Sequence, residues 1–112
     1  MKLITAIIQP YTVNAVRNAL EAVGLSGATI SGASGTGRQK GHSEHYRGAD
    51  YNIAMVPKIR VDTLVEDEQL DEALEAIVSA ARTGKIGDGK VWVTPVEEVI
   101  RVRTGERGSA AL

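Results

Sequence analysis

Gly84-Lys85-Ile86-Gly87-Asp88-Gly89-Lys90 places three glycines and two lysines in one short stretch. Glycines let a backbone turn its N–H groups toward an anion, and ammonium groups add charge. The spacing approaches the phosphate-loop pattern G-x-x-x-x-G-K. Val91 stands where that pattern needs a Ser or Thr to hold magnesium. The stretch also leaves a helical segment and enters an extended one, the reverse of a phosphate loop. It is therefore not a Walker motif. On these residues alone, an anion nest and a plain helix-to-strand turn both stay open.

Basic residues flank this stretch and a second glycine-rich one: Arg38, Lys40, Lys58, Lys90, Arg101 and Arg103. Val99 to Arg103 alternates apolar and basic residues. On a strand, Arg101 and Arg103 would share a face, because the period is two. Two guanidinium groups on one face suit polyphosphate or carboxylate. The plainer alternative is a solvated face balanced by Glu97, Glu98 and Glu106.

His42-Ser43-Glu44-His45 has loose spacing and no second cluster to complete a coordination sphere, so it reads as a polar loop rather than a metal site. Tyr46-Arg47-Gly48-Ala49-Asp50-Tyr51 holds two tyrosines in a polar glycine loop. Aromatic rings kept in such a loop point to partner contact or covalent modification. Alternatively, one ring folds back on the body. Trp92 reads as core or interface. No Ser-His-Asp or Cys-His arrangement is present, and Glu66-Asp67 and Glu97-Glu98 read as capping or surface acids.

The elements that must position these residues follow from apolar spacing. Leu3 to Ile8 is a nearly continuous apolar run, as expected for a strand buried on both faces. Thr12 is a candidate helix cap; Val13, Val16, Leu20 and Val23 recur at helical spacing until Gly24. Ala28 to Ser31 starts a second strand, weakened by Gly32. From Gly32 to Asn52 the periodicity vanishes and glycines accumulate. Loops beyond about 12–15 residues in a compact domain are usually functional or disordered. Lys58 to Val65 alternates, with Ile59, Val61 and Thr63 on one side and Arg60 and Asp62 on the other. A second helix is predicted over Asp67 to Ala81, burying Leu70, Leu74, Ile77 and Ala81, with Arg82-Thr83-Gly84 closing it. Strand Val91 to Val93 follows the glycine stretch. The order β-α-β, long loop, β-α-β predicts an α+β, ferredoxin-like fold: a four-stranded antiparallel sheet with both helices on one face. Its open face needs a cover, and self-association is the simplest one.

The 112 residues suffice for one compact domain, and so short a chain gains from oligomerisation. Apolar residues at 43% and charged residues at 24% are ordinary for a globular protein, and the signature of disorder is absent. A net charge of -1 argues against coating nucleic acid or an anionic membrane. With no cysteine, disulfides and thiolate chemistry are excluded, and a reducing cytosol is the expected setting. The N-terminal apolar stretch is too short for a signal peptide, and no apolar run is long enough to span a membrane.

Three stretches resemble the PII family of nitrogen-regulatory proteins, also called the GlnB/GlnK family. They are Gly37-Arg38-Gln39-Lys40-Gly41-His42, Tyr46 to Tyr51, and Ala81 to Val93 continuing to Arg101-Val102-Arg103-Thr104-Gly105-Glu106-Arg107-Gly108. The likeness runs the length of the chain without gaps. It implies a homotrimer with ATP or ADP in each cleft between subunits. It implies a mobile loop over about 37–55, a phosphate-binding loop over about 82–90 and a C-terminal loop over about 101–112. It implies an adenosine pocket at Ile7, Thr29 and Leu64. Phosphate contacts would fall on Gly37, Arg38, Gly87, Asp88, Gly89, Lys90, Arg101 and Arg103. Gln39 would help hold Mg2+ beside ATP. The effector 2-oxoglutarate would complete that metal shell, with Lys58 on a carboxylate and main-chain groups near Lys40, Gly41 and Gly87 assisting. Tyr51 would take a uridylyl or adenylyl group, and Arg47 would sit where relatives plug an ammonium channel. Other expected partners are a modifying enzyme, a transcription regulator or a metabolic enzyme.

Several positions depart from the family pattern. Gln9 stands where a basic residue is usual near the 2-oxoglutarate site, Thr36 where a large apolar one is usual, and Asp50 where Glu is usual; Asn14, Ser34 and His45 are also atypical. Two other functions compete with a sensor. A small ferredoxin-like ATP-hydrolysing enzyme would use the glycine loop and arginines, but no general base or nucleophile is evident. A nucleic-acid module is opposed by the charge balance and the few aromatics.

Overall fold

The computed structural model describes residues 1–36 and 55–112. It contains strand β1 (Lys2–Ile8), helix α1 (Val13–Ala22), strand β2 (Thr29–Gly35), strand β3 (Val56–Val65), helix α2 (Leu70–Ala81) and strand β4 (Gly89–Pro95). The four strands form one antiparallel sheet in the order β2-β3-β1-β4. This is the α+β arrangement that the alternation of elements implies.

β1 sits between β3 and β4, so its two faces have different neighbours. Ile4, Ala6 and Ile8 point to one side and are fully buried. Opposite them in register are Thr63, Val61 and Ile59 of β3, and Val93, Val91 and Gly89 of β4. Val16 and Leu20 of α1 and Ala73, Ile77 and Ala81 of α2 close this core. Burying such side chains supplies the main drive to fold, about 1.5–3 kcal/mol for each large one.

The other face carries Leu3, Thr5 and Ile7 of β1, flanked by Leu64, Asp62 and Arg60. Here Thr5 is only 1% exposed, and its hydroxyl donates to Asp62 at 2.7 Å. Arg60 Nε donates to the same carboxylate at 2.8 Å. Two residues apart on one strand face, Arg60 and Asp62 form a polar clasp on the face that also carries Lys58 and Lys90. The Arg60 and Thr5 hydrogen bonds hold the Asp62 carboxyl below the usual carboxylate range, while partial burial pulls the other way. Trp92 lies opposite Thr5 on this face and is 44% exposed.

Helix ends depart in detail from the spacing argument. Pro10 to Thr12 forms a 3-10 turn before α1, and the Thr12 hydroxyl donates to the Gln9 carbonyl at 2.8 Å instead of accepting a helix N–H. Gly24 at φ +85° ends α1 in the left-handed conformation that glycine supplies cheaply. Asp67 to Gln69 is a 3-10 turn fixed by a reciprocal Glu66–Gln69 capping box, and α2 begins at Leu70. Ala73, not Leu74, reaches the centre of the core; Leu70 and Leu74 are half-buried. A small residue there brings α2 close to β1.

The largest correction concerns Val99 to Arg103, which is not a strand. Ile100 bridges Arg107, and the Gly105 N–H donates to the Arg101 carbonyl at 2.8 Å. A tight turn with Gly105 at φ +72° therefore carries both arginines, and the period-two argument for their shared face fails. β2 and β4 are also longer than their apolar cores, because pairing with β3 and β1 extends them through Gly35 and Pro95.

Candidate functional site

One cleft of about 640 Å³ opens beside the start of β4. Ile7, Gly35, Thr36, Val56, Lys58, Ile86, Gly87, Gly89, Lys90 and Trp92 line it. Each strand contributes from its end: β1 through Ile7, β3 through Val56 and Lys58, β2 through Gly35, and β4 through Gly89 to Trp92. Lys90 lies opposite Ile7 in the ladder. Lys58 Nζ donates to the Gly87 carbonyl at 2.6 Å, tying β3 to the glycine loop.

The loop from 82 to 88 is built around its own anion. The Asp88 carboxylate accepts from the Thr83 N–H at 2.8 Å, from the Gly84 N–H at 2.9 Å and from the Thr83 hydroxyl. These hydrogen bonds, the hydroxyl first, hold the Asp88 carboxyl below its ordinary range. The Asp88 carboxylate thus occupies the Thr83–Gly84 end of the loop, while Gly87, Gly89 and Lys90 line the cleft. Gly87 has φ +102° and Gly89 φ +108°. At Gly89 a Cβ would lie 1.8 Å from the Ile7 carbonyl oxygen, so only glycine lets β4 start against β1.

A second cleft, of about 1010 Å³, lies at the opposite end of the sheet. Leu3, Gly27, Thr29 and Leu64 line it, together with Ser109, Ala111 and Leu112. Ile7 belongs to the first cleft, and Thr29 and Leu64 belong to the second. Leu3 pairs with Leu64 and Ile7 with Arg60, so the two clefts are separated along β1 by four residues, about 13 Å.

The structure thus brings Ile7, Lys58, Gly87, Gly89 and Lys90 together and leaves Thr29 and Leu64 apart. Arg101 sits in neither lining; its guanidinium contacts Glu106 and Leu112. Arg103 is exposed in the turn. Gly37, Arg38, Gln39, Lys40, Gly41, Arg47 and Tyr51 lie outside the described residues, as do His42 and His45. Among the described residues, no group of three acidic, His or Cys side chains could hold a metal ion. The positive charge of Lys58 and Lys90 and the glycine backbone beside them fit a phosphate or carboxylate ligand. No helix among the described residues is long and apolar enough to cross a membrane.

Sequence reasoning missed two participants. Trp92 was expected in a core or interface, yet it walls the first cleft. Thr83 was passed over, although a Thr before Gly with an Asp four residues beyond the glycine is a readable turn signature. Glu106, named as one of the acids that could balance the basic face, does pair with Arg101.

A family model described as "Nitrogen regulatory protein P-II" matches residues 1–106. Similar proteins include the "Nitrogen regulatory protein P-II" of Azospirillum brasilense, 53% identical over all of both chains. "Nitrogen regulatory protein GlnK" of Escherichia coli K12 is 50% identical, again over all of both chains. The "Nitrogen regulatory protein P-II" of Rhodospirillum rubrum is 51% identical over the same full span. Agreement of that extent, in a chain with this sheet order and glycine loop, settles the family: the chain belongs to the nitrogen regulatory protein P-II family.

Proposed function

We propose that this chain is a non-catalytic signal-transduction protein that reports nitrogen, carbon and energy status. Three copies assemble, and ATP or ADP binds between neighbours. With ATP and Mg2+ in place, 2-oxoglutarate binds beside the phosphates. Partners then read the loop expected over 37–55 through Arg47 and Tyr51, with Tyr51 the residue that accepts a nucleotidyl group. An ammonium channel, a modifying enzyme, a transcription regulator and a metabolic enzyme are the partner classes considered, and the cytoplasm is the proposed setting.

One observation carries this reading: Lys58 and Lys90 line the same cleft as Gly87 and Gly89. Two cations beside left-handed glycine backbone make a receptor for anions. The separation of the two clefts supports a shared site. A nucleoside held by Thr29 and Leu64 of one copy could place its phosphates at Gly87, Gly89 and Lys90 of the next. Binding at such a junction would couple ligand to assembly, and ATP that builds the second ligand's site would make the two bind cooperatively. Gln39 would hold the magnesium, and its role here comes from the family resemblance.

The catalytic alternative, a small ferredoxin-like ATP-hydrolysing enzyme, finds no base among the described residues of the first cleft. The described residues lining the first cleft include no Asp, Glu or His, and Asp88 is committed to Thr83 and Gly84. Any ATP turnover would be slow.

The test is calorimetric titration with ATP, ADP and 2-oxoglutarate, beside a native mass measurement. The expected result is nucleotide binding by a particle three times the 11.9 kDa chain, with 2-oxoglutarate bound only when Mg-ATP is present. A monomer indifferent to millimolar nucleotide refutes the reading, and robust steady-state hydrolysis favours the enzyme.

A further inference from the structure

Arg101 is one of the three arginines expected to reach phosphate, yet its guanidinium already has partners. Nη1 donates to the Glu106 carboxylate at 3.1 Å, and Nη2 donates to the Leu112 carbonyl at 3.0 Å. Glu106 is itself held in position. The Thr104 hydroxyl donates to the same carboxylate oxygen at 2.8 Å, and the Glu106 N–H donates to that hydroxyl at 3.2 Å. The main chain closes the loop further, with the Arg101 N–H donating to the Glu106 carbonyl at 2.8 Å. Glu106 is therefore a preorganised acceptor and not a passing surface contact. The pair stays within reach of solvent anions, since the Arg101 and Glu106 side chains are 37% and 46% exposed.

The other partner of Arg101 reaches a different place. Leu112 walls the second cleft with Ser109 and Ala111. One guanidinium thus ties the 101–106 turn to the segment that borders the cleft holding Thr29 and Leu64.

We propose that Glu106 is a built-in competitor for Arg101: a polyphosphate must take the guanidinium from Glu106 and Leu112, and in doing so it frees residues 109–112 from the wall of the second cleft, while the Gly108 N–H stays on the Val99 carbonyl. The proposal rests on the nucleotide reading above. A phosphate carries more charge than a carboxylate and accepts the guanidinium fork in two parallel bonds, so it wins the exchange. Exposed Arg–carboxylate pairs are weak, so Glu106 lowers ligand affinity about two- to fivefold and does not block it. Glu106 would act as a positioning residue, setting the nucleotide concentration at which the C-terminal segment lets go.

Pyrophosphate and ADP titrated by calorimetry into wild type, Glu106→Gln and Glu97→Gln provide the test. Glu97 is exposed and lies on the same C-terminal segment, so its variant loses one charge without touching Arg101. Glu106→Gln should bind both ligands about two- to fivefold tighter, with Glu97→Gln close to wild type. Thr104→Val, which removes the hydroxyl that orients the Glu106 carboxylate and accepts the Glu106 N–H but keeps the carboxylate itself, should move affinity the same way by less. Hydrogen exchange at 109–112 should quicken in wild type when pyrophosphate is added. Equal gains from Glu106→Gln and Glu97→Gln would reveal a general charge effect and overturn the competition. Unchanged exchange at 109–112 would overturn the release. Wild type that ignores both ligands overturns the nucleotide reading itself, and this inference with it.

Discussion

Lys58 Nζ donates to the Gly87 carbonyl at 2.6 Å, across 29 residues of sequence. The cation expected to meet a ligand carboxylate is thus bonded to the loop expected to meet phosphate. In the proposed function, the carboxylate ligand and the phosphate ligand would meet two groups already joined by this hydrogen bond, which would couple them.

Lys58→Met should therefore separate them. Nucleotide binding should survive within about threefold, while 2-oxoglutarate affinity should fall at least tenfold, as hydrogen bonds to charged groups are worth about 1.5–3 kcal/mol. Calorimetry with and without Mg-ATP measures both. A retained 2-oxoglutarate response would remove Lys58 from that role.

Gln9 follows directly on Ile8, which pairs with Ile59 and Gly89 at the end of the sheet that holds the first cleft. A cation there would add attraction for a dianion. Gln9→Lys should tighten 2-oxoglutarate about two- to fivefold in the presence of Mg-ATP, the scale of an exposed charge pair. Equal affinities for the two proteins would show that this position is indifferent.

Gly89→Ala should be among the costliest single changes in the chain. The left-handed backbone alone costs about 1–3 kcal/mol, and the methyl group would collide with the Ile7 carbonyl. A loss of roughly 3 kcal/mol or more in urea denaturation is expected. Gly32→Ala is the matched control. Nothing lies within 4 Å of its added Cβ, so its midpoint should barely move.

Acid should weaken the fold partly through Asp62. Its carboxyl titrates lower in the folded chain than in the unfolded one, first because Arg60 donates to it and then because Thr5 does. The resulting stability is complete above the unfolded carboxyl's range, near pH 4, and disappears as pH drops through the lower folded value. Asp62→Asn should therefore be less stable than wild type at pH 6 and flatten the acid limb of a urea-midpoint profile taken from pH 6 to 2. Parallel acid limbs would show that the clasp contributes nothing.

Element type and order were legible in the sequence, because Leu3 to Ile8, the α1 stripe and the α2 stripe each show a period that local physics can decode. Element length was not. β2 reaches Gly35 through Ser34 and Gly32, residues with little strand preference, because β3 supplies the hydrogen bonds. The same non-local logic misled the reading of Val99 to Arg103, whose alternation imitates a strand while no neighbour pairs with it along its length. In the site, Lys58 and Lys90 could be named as cations, but their convergence depends on β1 lying between β3 and β4. Trp92 reached the cleft for the same reason. Charge balance named Glu106 among the acids set against the arginines, but its pairing with Arg101 in particular depends on how the turn closes.

Ile7 and Leu64 border different clefts of one sheet, so in the proposed function each polypeptide would offer two dissimilar half-receptors. In the proposed ring of three, damage to either half need not be additive. Chains crippled at Lys90 and chains crippled at Thr29 would each fail alone. Co-expressed, every hybrid ring would contain one junction at which both contributing halves are sound. Two dead alleles would then rescue each other, a genetic signature that a receptor confined to a single chain could never produce.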